Sequence, residues 1–379
     1  MNFAPNPVAP QTVDSWRLTT FRAHEPRDQM QLANLDITLI DPLSGSEWDD
    51  LLSTHPDITI FHTSAWARVL ARTYGHRPFY LHFTRRGASV VLLPLMEVAS
   101  RFTGSRGVCL PFSDFCAPLL FGDAMGDALL AQLLELAAER KWNHIELRGG
   151  VPAPARDGVA ATFYGHTLDL SGGEKALFAR FNSSVQRAIR KAERSGVSVD
   201  ILQTRDAMRE FYRLHCQTRR RHGVPPQPFA FFRHIQEEII APGCGFIALA
   251  RSSARCIAAA IFFRLGSKGL FKFGASEKRH QNLRPNNIAM WEGMRYLLLN
   301  GCRSLHFGRT APGDEGLRRF KLSWNTREES FHYVRANPIS KLFVPVRQTN
   351  SSALYQKLFT KLPLALNMLA GKLIYPHLD

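Results

Sequence analysis

The chain repeats one long pattern of secondary structure, and this repeat restricts its fold more than any other feature. Apolar residues at every second position predict strands, and apolar residues at helical spacing predict helices. Residues 35–170 and 197–335 then give the same order: strand, two helices, three strands, one long helix and two further strands. In both halves the long helix precedes a strand that ends in Arg-Gly or Gly-Arg, in HIELRGG (144–150) and SLHFGRT (304–310). A repeat of this length predicts two homologous domains. Two consecutive α/β domains of unrelated fold are the alternative.

We therefore predict an α/β protein with two tandem domains, each a mixed β-sheet flanked by helices. The N-terminal domain is predicted over 35–170 and the C-terminal domain, with the active site, over 171–340. Residues 1–34 combine prolines and scattered charges without the apolar segment of a signal peptide, which predicts a disordered leader. Residues 341–379 form a basic amphipathic tail.

Positive charge is concentrated in one part of the chain. The 48 Lys and Arg outnumber the 32 Asp and Glu, which favours anionic partners such as nucleic acid, nucleotide phosphates or anionic lipid. Residues 175–223 hold twelve basic and four acidic residues, half of the excess of +16. Helical spacing places four of these cations on one face: Arg187, Arg190, Lys191 and Arg194. This face predicts a phosphate-binding surface, and a simply solvated surface is the alternative.

Metal sites and membrane-spanning segments are not expected from this sequence. The six cysteines form no C-x-x-C pair and no H-E-x-x-H motif occurs, so we predict neither a disulfide scaffold nor a metal site. No apolar run reaches the ~18–20 residues of a membrane span. We expect a cytoplasmic protein. The tail alternates Lys357, Lys361 and Lys372 with leucines, which predicts either peripheral contact with the inner membrane or packing against the protein itself.

A family resemblance accompanies this element order. The segments that carry it are FHTSAWARVLARTYGHRPFYL, LPFSDFCAPL, SSVQRAIRKAERSGVSV, RPNNIAMWEGM and FGRTAPGDEGLRRFKLSWN. Over about residues 60–340 the chain resembles the FemAB-like group of tandem GNAT acyltransferases, most closely the branch linked to exopolysaccharide and cell-envelope synthesis. The resemblance implies a transferase that forms an amide on an amine of a nucleotide- or lipid-linked anionic acceptor. It implies no permanently bound cofactor, with aminoacyl-tRNA or acyl-CoA as the donor.

The choice of donor depends on the loop before the helix that starts at Pro285. Free N–H groups at a helix start bind phosphate, and Asn286 stands there. In GNAT enzymes a loop of the form Q/R-x-x-G-x-G/A holds the pyrophosphate of coenzyme A. Residues 281–286 lack those glycines, and Pro285 removes one donor. This departure favours aminoacyl-tRNA, so we expect tRNA and not DNA as the nucleic-acid partner.

The resemblance also implies which residues do the chemistry. Amide transfer passes through an oxyanion that fixed cations stabilise. The Phe320-Lys321 pair matches the family's Phe-Lys, which implies that Lys321 stabilises the oxyanion. A structural lysine, with Phe320 and Trp324 in the core, is the alternative. Because a lysine that lines a cleft contributes little to the core, we expect the fold to survive its removal. The first half has no such pair after Arg148, which predicts one active site per chain.

Further candidates surround this pair. Arg309 is expected to hold a phosphate of the acceptor or donor. The resemblance implies that Thr218 with Arg220 or Arg221 forms part of the acceptor pocket, with ordinary basic residues at a helix C-terminus as the alternative. Asp114, between two phenylalanines, is a candidate base or a ligand for the acceptor's amine, with a turn residue as the alternative.

Two other functions remain open at this point. One is an acyl-CoA-dependent N-acetyltransferase of a sugar or amino acid. The other is a non-catalytic basic adaptor that binds RNA or anionic membrane. An adaptor would not need a lysine held at a cleft.

Overall fold

The computed structural model describes residues 35–122, 126–150, 159–344 and 353–379. The predicted leader, 1–34, lies outside them. The first half contains β1 Asp36–Ile40, α1 Glu47–Leu52, α2 Ser64–Tyr74, β2 Arg77–Pro78, β3 Tyr80–Arg85, β4 Ala88–Leu93, β5 Met96–Ser100, β6 Gly104–Val108, β7 Leu119–Leu120, α3 Gly126–Glu139, β8 Ile145–Arg148 and β9 Ala161–Asp169.

The second half repeats this order after two additional helices. It contains α4 Gly173–Arg180, α5 Ser183–Arg194, β10 Val197–Leu202, α6 Arg205–Arg221, α7 Phe229–Ile235, β11 Gly245–Ser252, β12 Arg255–Leu265, β13 Lys268–Ser276, α8 Pro285–Leu299, β14 Ser304–His306, α9 Glu315–Leu322 and β15 Arg327–Ala336. Two tail helices follow, α10 Ala353–Lys361 and α11 Leu364–Ile374.

The two halves share one strand order, which confirms the predicted fold class. In the second half β10, β11, β12 and β13 pair antiparallel, and β14 returns parallel to β13 after α8. In the first half β1, β3 and β4 pair antiparallel. The chain then passes Pro94 and forms β5, which pairs antiparallel with β6, and β8 returns parallel to β6 after α3. Proline has no N–H for the ladder, so the first half divides between two sheets at this point.

The halves exchange their last strands. β9 of the first half lies between β14 and β15, and β15 of the second half lies between β9 and β8. This exchange produces an eleven-stranded sheet in the order β10-β11-β12-β13-β14-β9-β15-β8-β6-β5-β2. The domain boundary predicted between residues 170 and 171 stays a prediction. Strands on each side of it form hydrogen bonds with strands of the other half, so the sheet is continuous across it.

The hydrophobic core also crosses between the halves. Trp66 on α2 is fully buried, and its ring centroid lies 5.9 Å from that of Phe231 on α7 and 6.2 Å from that of Phe263 on β12. One buried cluster therefore contains residues of both copies. Because part of the apolar surface of each half is buried against the other, we expect a single cooperative unit.

The tail packs against the protein through one face. Its buried Tyr375 hydroxyl accepts a hydrogen bond from Arg219 of α6 at 2.8 Å. Gly371 lies so close to the Pro226 carbonyl that an added Cβ would stand 1.9 Å from its oxygen. In the described part of the chain, no helix combines the length and apolarity that crossing a membrane requires.

Candidate active site

A gap opens between the two parallel strands of the second half. The pairing of β13 with β14 ends at Leu270 and His306. Among the described residues, no backbone hydrogen bond joins 271–276 to 307–310. In the first half the equivalent gap is filled, because the Cys116 N–H donates to the Arg148 carbonyl at 2.9 Å. The two copies therefore differ at this point, since the strands of the second copy are not bridged where those of the first copy are.

A buried ion pair from both halves lies at this gap. Lys272 of β13 donates from Nζ to Asp114 Oδ2 at 3.0 Å, and to the Phe112 carbonyl at 2.7 Å. The side chains are 6% and 15% exposed, respectively. Burial raises the pKa of Asp114, but the charges of Lys272 and Arg309 outweigh it and hold this pKa below its usual value. A carboxyl with a low pKa is a weak base, so its electrostatics favour binding an amine over removing a proton.

The end of β14 fits closely around Asp114. Gly308 has a φ of 71°, and an added Cβ would lie 3.1 Å from Asp114 Oδ2, so this position suits only glycine. The Tyr333 hydroxyl donates to the Asp114 carbonyl at 2.6 Å and accepts from Arg309 at 2.7 Å. The Arg309 guanidinium lies 4.7 Å from the Phe163 ring centroid. The structure thus places the predicted phosphate ligand Arg309 against aromatic rings, where it also supports the Asp114 loop.

Lys321 is more deeply buried than its sequence suggests. The residue is 2% exposed, and its ammonium donates to the carbonyls of Gly308 at 2.8 Å and Arg309 at 3.0 Å. The premise that this lysine contributes little to the core is therefore wrong, because two carbonyls at the end of β14 depend on it, and survival of the fold without it stays a prediction. An ammonium has three N–H donors, and the described residues use two of them. The third remains for a substrate oxygen.

The charge of Lys321 is sensitive to pH near neutrality. Burial and the nearby Lys272 lower its pKa to about 8, against the opposing attraction of Asp114 and Asp314. If the ammonium acts in the reaction, single-turnover rates should fall above about pH 8, by about tenfold per pH unit.

The stability of the fold should change with pH in the opposite direction to the rate. Between pH 8 and 10.5, the ordinary pKa of a lysine, the native side chain binds fewer protons than the unfolded one, so stability rises over that window. Rate and melting-temperature profiles that fall together would contradict this assignment.

A cationic groove of about 420 Å³ is lined in part by Phe320 and Ser323, which flank Lys321 in the chain, although Lys321 itself is not among its lining residues. α5 contributes Arg187 and Lys191, the start of α8 contributes Arg284 and Asn287, and α9 contributes Phe320. The groove brings together parts of three features singled out in the sequence: two cations of the basic helix face, the helix start and the phenylalanine of the Phe-Lys pair. Its cations suit a phosphate-bearing ligand. Arg190 points elsewhere, since its guanidinium lies 5.4 Å from the Phe178 ring centroid.

Three of the remaining predicted residues converge on Ser276, the last residue of β13. The Thr218 hydroxyl accepts from the Ser276 N–H at 3.1 Å, and Arg221 donates to the Ser276 carbonyl at 3.0 Å. Asn286 lies 3.3 Å from the Ser276 hydroxyl. Arg220 turns away to a backbone carbonyl of α10 at 3.3 Å. The contacts with Ser276 fix the end of β13 on one side of the gap. Arg220 instead binds α10 of the tail to α6.

Sequence reasoning missed Lys272, Arg284 and Tyr333. Lys272 had a local signal, since it interrupts an apolar strand between two phenylalanines. Arg284 occupies the loop in which the family's glycines are absent. Tyr333 carried no local signal, because its contact with Asp114 spans 219 positions.

Arg284 offers a test that separates binding from folding. It has a φ of 60° and a ψ of 38°, a left-handed conformation that costs a non-glycine residue about 1 kcal/mol. Arg284→Gly should therefore keep or slightly raise the melting temperature, while affinity for a phosphate-bearing donor falls about tenfold. Arg284→Ala, which keeps the strain, is the matched control and should lose the same affinity with no gain in stability. An Arg284→Gly variant with unchanged affinity would remove this residue from the donor site.

The splayed parallel strands, the buried lysine and most of the cationic groove lie in a segment that matches an acyltransferase domain, and the chain has a tandem GNAT fold. Residues 179–322 match the family model described as Acetyltransferase (GNAT) domain. FemX superposes with a TM-score of 0.61 at 15% identity, over 79% of this chain and 96% of FemX. A tandem GNAT protein from the clavulanic acid biosynthesis pathway gives 0.53 at 12% identity, over 80% of this chain and 99% of that one.

The C-terminal domain of a putative lysylphosphatidylglycerol synthetase from Agrobacterium fabrum gives a TM-score of 0.50 at 14% identity, over 76% of this chain and 88% of that one. At these identities the likenesses establish the fold, and the FemX match supports the FemAB-like resemblance. No curated protein matches the chain in sequence. The exopolysaccharide branch stays a prediction.

Proposed function

We propose that this protein transfers an acyl or aminoacyl group to an amine of a nucleotide- or lipid-linked cell-envelope or exopolysaccharide precursor. The observation that carries the proposal is that α9 holds both Phe320, which lines the cationic groove, and the buried Lys321, whose ammonium donates to the Gly308 carbonyl beside the Asp114–Lys272 pair. The groove suits the phosphates of a donor, Asp114 suits the amine of an acceptor, and Lys321 suits the oxygen of the acyl group. An adaptor would have no need of this combination.

In the proposed reaction the acceptor's nitrogen attacks the acyl carbonyl. The C–N bond forms, and a tetrahedral intermediate develops negative charge on the carbonyl oxygen, which Lys321 stabilises through its remaining N–H. The intermediate then breaks its bond to the thiol sulfur of coenzyme A or to the ribose oxygen of tRNA. The leaving group takes up the proton that the amine loses, so no separate side-chain base is required.

Two donor classes fit the groove. The match to an acetyltransferase domain supports acyl-CoA. The glycine-free loop, and a structural neighbour named for lysylphosphatidylglycerol synthesis, support aminoacyl-tRNA. We include a cytoplasmic location in the proposal, because both donors are made there. Dissociation constants for coenzyme A and for aminoacyl-tRNA, measured on the same preparation, decide between them, and failure to bind either would reject the proposal.

The two faces of α5 allow a charge-matched test of the groove. Arg187→Glu with Lys191→Glu reverses two charges inside it, and we expect at least a tenfold loss of donor affinity and a flatter salt dependence. Arg190→Glu with Arg194→Glu makes the same change in net charge on exposed residues outside the groove lining. This control pair should bind almost as wild type does. Equal losses in both pairs would mean that overall charge, and not the groove, attracts the donor.

A further inference from the structure

The outer face of the tail is unusually apolar. Among the described residues, seven of the fourteen exposed large apolar side chains fall within 353–379. They are Tyr355, Leu358, Leu366, Leu369, Leu373, Ile374 and Leu378. Leu366, Leu369 and Leu373 of α11 are 51%, 53% and 63% exposed, and their spacing places them on one side of the helix. A surface of this kind marks a site of interaction.

The opposite face of α11 already holds the helix on the protein. Asn367 is fully buried and donates to the Phe359 carbonyl at 2.8 Å. Leu364 and Met368 pack against the core shared by the two halves, and Gly371 contacts Pro226. The helix is therefore fixed in its rotation, and its outer leucines make no contribution to this core. Folding does not explain their apolarity.

The exposed charged side chains of the tail are of one sign. Lys357, Lys361 and Lys372 are all exposed. The single carboxylate side chain within 353–379 is Asp379, which pairs with Arg106 at 2.7 Å. The apolar surface also extends to Phe102 of the first half, which is 81% exposed and whose ring contacts that of His377 at 4.9 Å. Exposed leucines with a rim of lysines are typical of helices that lie at a membrane surface.

We propose that the outer face of α10 and α11 seats this protein on an anionic phospholipid bilayer. The leucines enter the boundary between headgroups and acyl chains, and the lysines pair with lipid phosphates. A helix of eleven residues extends about 16 Å and can lie in the interface without crossing it. A second copy of the chain is a poorer occupant, because a symmetric contact would bring the same lysines against one another. The inference goes beyond the proposed reaction and does not depend on it.

The experiment uses the full-length protein and lipid vesicles in a flotation assay. We expect binding to vesicles that contain phosphatidylglycerol and much weaker binding to pure phosphatidylcholine. Leu366→Ser with Leu369→Ser and Leu373→Ser should reduce binding to the anionic vesicles by roughly tenfold or more. The melting temperature should stay the same, because these side chains are exposed. Leu299→Ser, at a leucine that is 76% exposed on α8, is the control and should bind as wild type does.

Three results would overturn the proposal. The first is no binding to anionic vesicles. The second is full binding of the triple leucine variant to anionic vesicles, which would mean that the overall positive charge alone accounts for binding. The third is a dimer in sedimentation velocity without lipid that the triple variant dissociates, which would make this face a contact between copies. Donor affinity and turnover with a water-soluble acceptor should be unchanged in the triple variant, so failure here is distinguishable from failure of the transferase proposal.

Discussion

Replacing Lys321 by methionine is expected to lower the single-turnover rate by about 10²–10³-fold, with little change in donor affinity. The negative charge that Lys321 meets develops only in the transition state, so substrate binding hardly depends on it. Methionine retains the unbranched apolar chain but donates no hydrogen bond. The carbonyls of Gly308 and Arg309 lose a donor, which costs about 1–3 kcal/mol of stability. Melting temperature and rate must therefore be measured together.

Thr326 provides the matched control for this destabilisation. Its hydroxyl donates to the Lys321 carbonyl at 3.1 Å in the same buried region. Thr326→Val removes that hydrogen bond and leaves the ammonium in place. We expect a lower melting temperature with nearly normal turnover. If Thr326→Val loses as much turnover as Lys321→Met at a similar melting temperature, Lys321 is a structural residue that secures the end of β14.

Neutralising Asp114 is the second change with a large expected effect. Asp114→Asn leaves the Lys272 ammonium buried without its counter-ion, which should cost about 3 kcal/mol of stability. The acceptor amine also loses its anionic partner, so kcat/KM for the acceptor should fall about 10²-fold, mainly through KM. Donor affinity should change little, because the groove lies on α5, α8 and α9.

The double variant separates these two roles of Asp114. Combining Asp114→Asn with Lys272→Met removes both charges, and most of the lost stability should return. Activity should not return, since the carboxylate that holds the amine is still absent. Urea unfolding and acceptor kinetics on the wild type, the two single variants and the double variant complete the cycle. Recovery of both stability and activity in the double variant would restrict Asp114 to a structural ion pair.

Local patterns predicted a large part of this fold, because most of its elements are set by local periodicity. The order of strands and helices and the helix that starts at Pro285 are found close to their predicted positions. The basic face of α5 and the start of α8 were singled out separately, and the structure joins them in one groove.

Non-local contacts account for what the sequence could not predict. Alternation shows which face of a strand is buried, but it does not name the partner strand, so the exchange of β9 and β15 had no signal. Asp114 and Lys272 are 158 positions apart and come from different copies. Lysine is rarely buried, and a lysine in a short basic helix is typical of a solvated surface, so the burial of Lys321 was unexpected. The strand exchange and the Asp114–Lys272 pair depend on the packing of the two halves against each other, whereas Lys321 bonds to carbonyls 12 and 13 positions away in its own half.

The central claim is amide formation at this site, and a transfer assay with labelled donors tests it most directly. Purified protein is incubated with acceptor extracts and either radiolabelled acetyl-CoA or radiolabelled aminoacyl-tRNA. An amide survives mild base and hydroxylamine, whereas the ester and thioester donors do not. We predict stable label in the wild-type reaction with one donor class, and a loss of about 10²-fold in its rate of formation with Lys321→Met. Stable label formed at the same rate by Lys321→Met, or none from the wild type with either donor, would contradict the account.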